Sequence, residues 1–447
     1  MAISIAHSIF TRGFHLRWCY TLLSYLLLPV LLPRLWLRAA YRARWRERLG
    51  WYGGPRAVGA APMVVLAAPT VIVAAPTVIF HAVSVGEVHA AKPLIDALRK
   101  QRPELRVVLT CTTPTGAARI ADLFGDSLEH VYLPWDLPGA VQRFLARFEP
   151  ALLVLLETEL WPNLLRACAA RACPVVLANA RLSAKSQRGY AHLARLTRAM
   201  LTQLTVVVAQ SPADGERFMA LGLVPEKLRI NGSLKFDHVP DAVQRQRAAV
   251  MKASFGGRPV WIAASTREGE EALVLRAAEA ALAHEARLLL VLVPRHPERF
   301  AEAVELARQA GLNVQRASTG ALVNGDTQVV VGDTMGELGY YYGLADVAFV
   351  GGSLVDTGCQ NVIEPAAQGL PVLIGPSRYN FQAITDELLA AEALRIVQSP
   401  AALGAALIEL LVQSDLRKAM GERGRKVVAR NQGATQRLCR MLGELLS

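Results

Sequence analysis

Stretches of apolar residues alternate with stretches of helical periodicity over most of the chain. Runs that are apolar throughout, rather than at every second position, are typical of strands in a parallel sheet with helices on both faces. We predict strands at residues 106–111, 151–156, 175–178 and 205–209, and a second series at 260–263, 288–293, 329–331, 347–350 and 371–374. The pattern therefore predicts two doubly wound α/β halves.

A polar segment at residues 235–245, which contains Pro240, separates the two series of strands. A chain of 447 residues is too long for one ordinary core, and 52% apolar with 19% charged residues excludes a mainly disordered protein. We expect an N-terminal segment at 1–56, a Rossmann-like domain at 57–237, and a second one at 238–447 that ends in a helix. Two such domains facing across a cleft describe the glycosyltransferase-B (GT-B) architecture, which does not by itself define the chemistry.

An uncharged segment of sixteen residues, 18–33, lies between Arg17 and Arg34. As a helix it would extend about 24 Å, which is less than the hydrocarbon core of a bilayer, about 30 Å. The segment is therefore predicted to span a thin region or to lie partly embedded, with a buried core helix as the alternative. No small-residue cleavage site follows it, which argues against a removed signal peptide.

Arginine dominates the N-terminal segment, since residues 1–56 contain nine Arg and a single acid, Glu47, within a chain of net charge +12. Such a charge favours an anionic partner: phospholipid head groups, a phosphorylated lipid or nucleic acid. Arginines at 34, 38, 42 and 46 form one ridge of a helix, and aromatic and leucine residues at 37, 41, 45 and 49 form the neighbouring ridge. This composition predicts an interfacial helix. We predict a membrane anchor, with the remaining chain on the cytoplasmic side.

Polar residues follow the predicted strands of the first half. Residues 81–87 are predicted to form a strand, a turn at Gly86 and a helix that begins at Glu87, which we expect to be ionised there. Ser84 and Glu87 also match a capping box, which would make Glu87 purely structural. Later strands end at Glu157 and Glu159, at Asn179 and Arg181, and before Lys235. A carboxylate near an Arg and a Lys predicts proton removal and stabilisation of an anion, whereas solvated loop charges are the alternative.

The second half offers groups suited to a phosphate. Arg295 follows Pro294 at a strand end, and the glycines at 351–352 would let backbone amides approach an anion. Glu364 is predicted to accept hydrogen bonds from ribose hydroxyls, or else only to cap a helix. The chain has no GxGxxG and no P-loop motif, and its six cysteines have no metal-ligand spacing, so we predict reduced thiols in cytosolic domains and no metal site.

Several longer strings resemble one enzyme family. His81-Ala-Val-Ser-Val-Gly-Glu87 and Glu157-Thr-Glu-Leu-Trp-Pro-Asn163 are similar to the 3-deoxy-D-manno-octulosonic acid (Kdo) transferases of lipopolysaccharide biosynthesis. Further strings in the same order extend the resemblance, at 179–183, 232–237, 293–299, 331–337 and 349–354. The resemblance implies an inverting transfer of Kdo from CMP-Kdo to the lipid A precursor lipid IVA, without a cofactor or divalent metal, at the cytoplasmic side of the inner membrane. Inner-membrane phospholipids are then the expected partners, and neither nucleic acid nor a protein partner is expected.

The same resemblance implies roles for individual residues. Glu87 matches the family's proton acceptor, and Glu157 and Lys235 match positions assigned to transition-state stabilisation. The CMP-binding segments match Pro294, Arg295, Met335, Gly336, Glu337, Asn361, Val362, Ile363 and Glu364. Cys359 and Gln360 depart from the Gly-His that family members often have there. Two alternatives are a GT-B enzyme of lipid A assembly that uses a UDP-sugar, and a membrane-bound scaffold without activity.

Overall fold

The computed structural model describes residues 17–30, 32–33, 36–53, 75–237 and 242–447. Arg34 and the centre of the predicted linker, with Pro240, lie outside the described residues. The chain divides into two compact units, residues 1–237 with 432–447 and residues 238–431. The prediction of two parallel-sheet α/β halves is confirmed.

The first unit contains a seven-stranded parallel sheet in the order β3-β2-β1-β4-β5-β6-β7. Its strands are β1 Thr77–His81, β2 Arg106–Cys111, β3 Glu129–Tyr132, β4 Pro150–Leu156, β5 Val175–Ala180, β6 Val206–Ala209 and β7 Leu228–Ile230. Its helices are α1 at residues 17–30, α2 Ala39–Arg42, α3 Val85–Gln101, α4 Pro114–Phe124, α5 Pro138–Phe148, α6 Pro162–Ala169, α7 Ala184–His192, α8 Ala194–Gln203 and α9 Pro212–Ala220. The strand order reverses between β1 and β4, and ligands of such sheets bind at this switch point, outside the carboxyl ends of the strands.

The second unit repeats this plan with the order β10-β11-β9-β8-β12-β13-β14 and its switch point between β8 and β12. Its strands are β8 Val260–Thr266, β9 Leu289–Pro294, β10 Val314–Arg316, β11 Val329–Val331, β12 Val347–Val350, β13 Val372–Ile374 and β14 Leu394–Ile396. Its helices are α10 Ala242–Ser254, α11 Glu270–His284, α12 Phe300–Gln309, α13 Leu338–Leu344, α14 Ile363–Ala367, α15 Gln382–Ala390, α16 Pro400–Val412 and α17 Ser414–Asn431.

The first sheet is buried on both faces, as its unbroken apolar strands require. Along β1, Val78 and Phe80 pack into one core and Ile79 into the other, because successive side chains of a strand point to opposite faces. The last helix, α18 Ala434–Leu445, packs against α3 in the first of these cores. Residues 432–447 therefore belong to the first unit, whereas the sequence placed them in the second domain.

Helix α1 docks on the first unit through its polar side. Thr21 Oγ1 and the side-chain amide of Asn163, in α6, form hydrogen bonds of 3.1 and 3.2 Å, and Arg17 Nη1 donates to the same amide oxygen at 3.1 Å. Asp136, which accepts hydrogen bonds from Asn163 N and Leu164 N, also contacts α1 through Tyr20. The polar stripe of the helix is thus covered by protein.

The apolar side of α1 points away from the domain. At least half of the residue surface is exposed at Trp18, Leu22, Leu23, Leu26 and Val30. Among the described residues, no helix combines the length and apolarity needed to cross a bilayer. The predicted membrane anchor therefore stays a prediction, although this outward apolar face is an unusual feature for a helix exposed to water.

The arginine-rich segment does not form the single interfacial helix that the sequence predicted. The short α2 is followed by a 3₁₀ turn, Trp45–Leu49, and Arg44 between them has a left-handed φ of 55°. Arg44 and Arg48 are drawn towards the edge strand β3, where Arg48 stacks on Tyr132 at 4.2 Å. Two arginines of this segment therefore contact the sheet edge.

Candidate active site

Glu87 lies in the first turn of α3, directly after the central strand β1. Ser84 Oγ accepts a hydrogen bond from Glu87 N at 3.3 Å and donates one to Glu87 Oε1 at 2.9 Å. The other carboxylate oxygen, Oε2, accepts a hydrogen bond from Val83 N at 2.7 Å. The N-cap hydrogen bond that the sequence allowed is therefore formed, whereas the Glu87 carboxylate accepts from Val83 N, one residue before the N-cap, and so completes the capping box in a shifted form. Each carboxylate oxygen keeps a second lone pair, so capping still leaves Glu87 able to accept a proton.

A carboxylate–lysine pair accompanies Glu87 at the switch point of the first sheet. Glu157 directly follows β4, and Lys235 Nζ lies 3.3 Å from its Oε1. Glu157 has a left-handed φ of 59°, which turns the chain sharply where the strand ends. The structure therefore brings together all three residues, Glu87, Glu157 and Lys235, that the sequence predicted for catalysis in the first domain.

Buried contacts fix the segment that carries Lys235. Asn179, the last residue but one of β5, has a φ of 51° and accepts a hydrogen bond from Leu234 N at 3.0 Å. Asp237 accepts hydrogen bonds from two backbone N–H groups at the start of α18, at 2.5 and 2.6 Å. Lys235 is thus held from both sides by residues distant in the sequence. This also gives the C-terminal helix a part in shaping the site.

The electrostatic surroundings of Glu87 suit a base that works near neutral pH. Burial raises the pKa of Glu87 to about 7, and the negative charge of Glu157 contributes to the rise. The hydrogen bonds from Val83 and Ser84 and the charge of Lys235 lower this pKa, but they do not outweigh burial. The pKa of Glu87 is therefore above its ordinary value, with burial as the main cause, and the expectation of an ionised carboxylate at this helix start stays a prediction.

Glu159 is a third carboxylate in the same group. Its Oε2 accepts a hydrogen bond from the indole Nε1 of Trp161 at 2.9 Å. Burial, followed by the charge of Glu87, raises the pKa of Glu159 to about 7. Two carboxyl groups of the site therefore titrate in the same pH range.

Cationic groups gather at the switch point of the second sheet. Arg267 directly follows β8, and its Nη1 lies 2.6 Å from His296 Nε2. Arg295 follows β9, and its backbone N–H donates to Thr266 O at 3.0 Å. Burial and the charges of Arg267 and Arg295 lower the pKa of His296, so a neutral imidazole accepts from Arg267. The sequence analysis missed Arg267, whose signal was its place directly after a strand.

The paired glycines that follow β12 serve an internal carboxylate rather than the bound anion that we expected. Glu270 is fully buried and accepts hydrogen bonds from Gly352 N, Ser353 N and Leu354 N at 2.6, 3.0 and 2.9 Å. It accepts a fourth from Arg267 N at 3.1 Å. The amides of this turn are therefore already occupied. Their role is to fix the turn beside Arg267.

The residues predicted to bind CMP lie at the carboxyl ends of strands in one sheet. Pro294 ends β9, and Arg295 comes next. The segment Met335–Glu337 follows β11. The segment Asn361–Glu364 follows β12 after a longer loop. Met335 is largely exposed, and Glu337 forms an ion pair with Arg247 at 2.6 Å. The sheet thus gathers the three predicted segments at one edge.

The Asn361–Glu364 segment opens the short helix α14. Asn361 Oδ1 accepts a hydrogen bond from Ile363 N at 3.0 Å, and its Nδ2 donates to Glu364 Oε1 at 2.8 Å. Val362 and Ile363 have buried side chains, so only their backbone is available to a ligand. Cys359 is also buried, and burial raises its pKa to about 11, so it is a neutral thiol of the core.

The two parallel-sheet α/β units define the class of fold, the paired Rossmann-like domains of the GT-B type. A glycosyltransferase from Rickettsia africae has a similar crystal structure, with a TM-score of 0.56 over 83% of this chain and 99% of that chain. The two sequences are 13% identical, so this likeness concerns the fold alone.

Sequence comparison defines the family. The family model described as 3-deoxy-D-manno-octulosonic-acid transferase (kdotransferase) matches residues 43–238. A 3-deoxy-D-manno-octulosonic acid transferase of Haemophilus influenzae is 40% identical over 432 residues, which are 95% of this chain and 98% of that protein. One of Bordetella pertussis is 44% identical over 368 residues, 80% of this chain and 84% of that protein. The chain belongs to the Kdo transferase family and is a glycosyltransferase, which confirms the resemblance found in the motifs.

Proposed function

We propose that the protein transfers Kdo from CMP-Kdo to lipid IVA, with inversion at the anomeric carbon and without a divalent metal, in lipopolysaccharide biosynthesis. Family membership supports Kdo as the transferred sugar. The observation that carries the proposal is the group of Glu87, Glu157 and Lys235 at the switch point of the first sheet.

Glu87 is the proposed proton acceptor. A sugar hydroxyl is a poor nucleophile, and a base in hydrogen-bond reach accelerates its attack by about 10²–10⁴-fold. The hydroxyl proton passes to the Glu87 carboxylate, the hydroxyl oxygen bonds to the anomeric carbon, and CMP leaves with the electrons of the broken bond. A pKa of about 7 keeps enough of Glu87 ionised at neutral pH and still makes it basic. Lys235, positioned by its pair with Glu157, stabilises negative charge in the transition state.

The second domain is the proposed site of CMP-Kdo. Arg295 and Arg267, at the ends of neighbouring strands, provide cationic donors for the phosphate of the leaving group. The segments Met335–Glu337 and Asn361–Glu364 would contact the nucleoside, with the Glu364 carboxylate accepting from ribose hydroxyls. These cationic donors are the groups that take the place of a metal ion in the proposed reaction.

The proposed location is the cytoplasmic face of the inner membrane. Helix α1 turns its apolar side away from the protein, and exposed tryptophans and arginines follow it, at Trp36, Arg38, Arg42, Arg46 and Trp51. Apolar side chains beside Trp and Arg are typical of a helix that lies in the head-group layer. Because its polar side is docked on the first unit, we propose that α1 lies in the membrane plane. The acceptor lipid and the inner-membrane phospholipids are then the partners.

Mass spectrometry tests the reaction. The full-length protein in detergent is incubated with CMP-Kdo and lipid IVA, with and without EDTA, and we expect a Kdo-bearing lipid in both cases. Glu87→Gln is expected to lose turnover by at least 10²-fold while CMP binding is kept, and Glu216→Gln, on the exposed side of α9, serves as the control. Transfer from a UDP-sugar, with none from CMP-Kdo, would support the alternative enzyme of lipid A assembly instead.

A further inference from the structure

The acceptor-side site has more negative than positive charge. Glu87, Glu157 and Glu159 influence one another electrostatically, and Lys235 contributes one positive charge beside them. With all three carboxyl groups ionised, the group would carry an excess of two negative charges. Such a site would repel the anionic sugar and phosphates of the proposed substrates. A proton bound to one carboxyl group relieves this repulsion.

The hydrogen bonds indicate which carboxyl group holds that proton. Glu157 is paired with Lys235 at 3.3 Å, so its charge is compensated. Glu87 accepts hydrogen bonds from Val83 N and Ser84 Oγ, both of which stabilise its anion. Glu159 accepts one hydrogen bond, from Trp161, and its Oε1 has no hydrogen-bond partner within the described part of the chain. Of the three carboxylates, Glu159 therefore has the fewest protein groups that stabilise its anion within the described part of the chain.

We propose that Glu159 is a positioning residue that holds the one proton of the Glu87–Glu159 pair, so that Glu87 remains the anionic base. This inference rests on the proposed function of Glu87. The repulsion between the charges of Glu87 and Glu159 favours a state in which one of the two carboxyl groups is protonated. The other groups that face Glu159 are Glu157 and Tyr190, and neither is a cation that would favour its ionised form.

The dependence of kcat/KM on pH distinguishes the two carboxyl groups. In the wild type, activity should fall on the acidic side as Glu87 is protonated and on the alkaline side as Glu159 ionises and repels the anionic substrates. Glu159→Gln mimics the protonated acid and can still accept from Trp161, so we expect activity within about threefold of the wild-type maximum. Its acidic limb should be unchanged, and its alkaline limb should move up by at least about one pH unit or disappear. Glu216→Gln is expected to leave both limbs in place.

A spectroscopic experiment tests the inference without turnover. In protein labelled with ¹⁵N-tryptophan, the Trp161 indole resonance, assigned with Trp161→Phe, should shift with a midpoint near pH 7 because its acceptor titrates. This titration should vanish in Glu159→Gln and persist in Glu216→Gln. An indole resonance that does not titrate between about pH 5 and 9 overturns the inference, as does a Glu159→Gln variant as inactive as Glu87→Gln. If the wild type is active and the alkaline limb of Glu159→Gln does not move, the inference is also overturned. Absence of any Kdo transfer refutes the proposed function alone.

Discussion

Replacing Glu270 by Ala should loosen the turn that follows β12. The carboxylate is fully buried and accepts four backbone hydrogen bonds between 2.6 and 3.1 Å. An unsatisfied buried donor costs about 1–3 kcal/mol, and water that enters the space left by the side chain offsets part of this cost. With the lowest value for each of the four donors, we expect the stability of the second domain to fall by about 4 kcal/mol.

Hydrogen exchange measured by mass spectrometry tests this value at the turn itself. Each factor of ten in exchange corresponds to about 1.4 kcal/mol, so the amides of Gly352 to Leu354 should exchange up to about 10³-fold faster in Glu270→Ala. The matched control is Glu268→Ala, two residues away and exposed, which should change exchange less than about threefold. Glu270→Gln keeps the shape of the side chain and one acceptor oxygen, so its effect should be intermediate.

The same substitution should weaken nucleotide binding. Gln360 N donates to Gly351 O at 3.0 Å, so the turn supports the start of the segment that contains Asn361. We expect CMP to bind at least about tenfold more weakly to Glu270→Ala in calorimetry. Unchanged exchange at residues 352–354 would refute the reasoning, because it would mean that the buried carboxylate does not hold these amides.

Three further predictions concern Arg267, Glu87 and helix α1. Arg267→Ala should raise the Kd for CMP by about 10–100-fold in calorimetry, because a charge-assisted hydrogen bond contributes about 1.5–3 kcal/mol. The control Arg276→Ala, at an exposed position of α11, should leave the Kd unchanged. Equal Kd values for the two variants would mean that Arg267 does not bind the nucleotide. Below about pH 7, kcat/KM should fall about tenfold per pH unit. Burial raises the pKa of Glu87 to about 7, and its protonated form cannot accept the hydroxyl proton. A pH profile that is flat down to pH 5 would exclude Glu87 as the base. In vesicle sedimentation, the double variant Leu22→Ser and Leu26→Ser should bind anionic phospholipid vesicles about 10–100-fold less than the wild type. The control Val412→Ser, at an exposed apolar position of α16, should bind as the wild type does. Equal sedimentation of the double variant and the wild type would mean that α1 does not enter the bilayer.

The central strands were predictable from the sequence, whereas the edge strands were not. All ten predicted strands, including the one before the turn at Gly86, are present within two or three residues, because each is largely an apolar run. The strands β3, β7, β10 and β14 were missed, since they have three or four residues and mix polar with apolar side chains. A strand at a sheet edge is half-exposed, and its short pattern cannot be distinguished from a loop.

The candidate site shows a similar division. Glu87 and Glu157 follow apolar strands, so the topology rule alone was enough to bring them together. The pKa of Glu87 depended on burial, which no local pattern reports. The role of the paired glycines was misjudged because their acceptor, Glu270, is more than 80 residues away and resembles an ordinary first-turn glutamate. Contacts between distant residues decided these cases.

The inverted polarity of α1 has a practical consequence for shortened forms of the protein. Removing an ordinary amphipathic helix exposes apolar surface of the protein and causes aggregation. Removing α1 would instead expose Asn163 and Asp136, which water can hydrate. The exposed apolar side chains of α1 would be removed with the helix. A variant that begins after α1 should therefore be easier to keep monodisperse without detergent than the full chain, which makes it the better starting point for crystallisation.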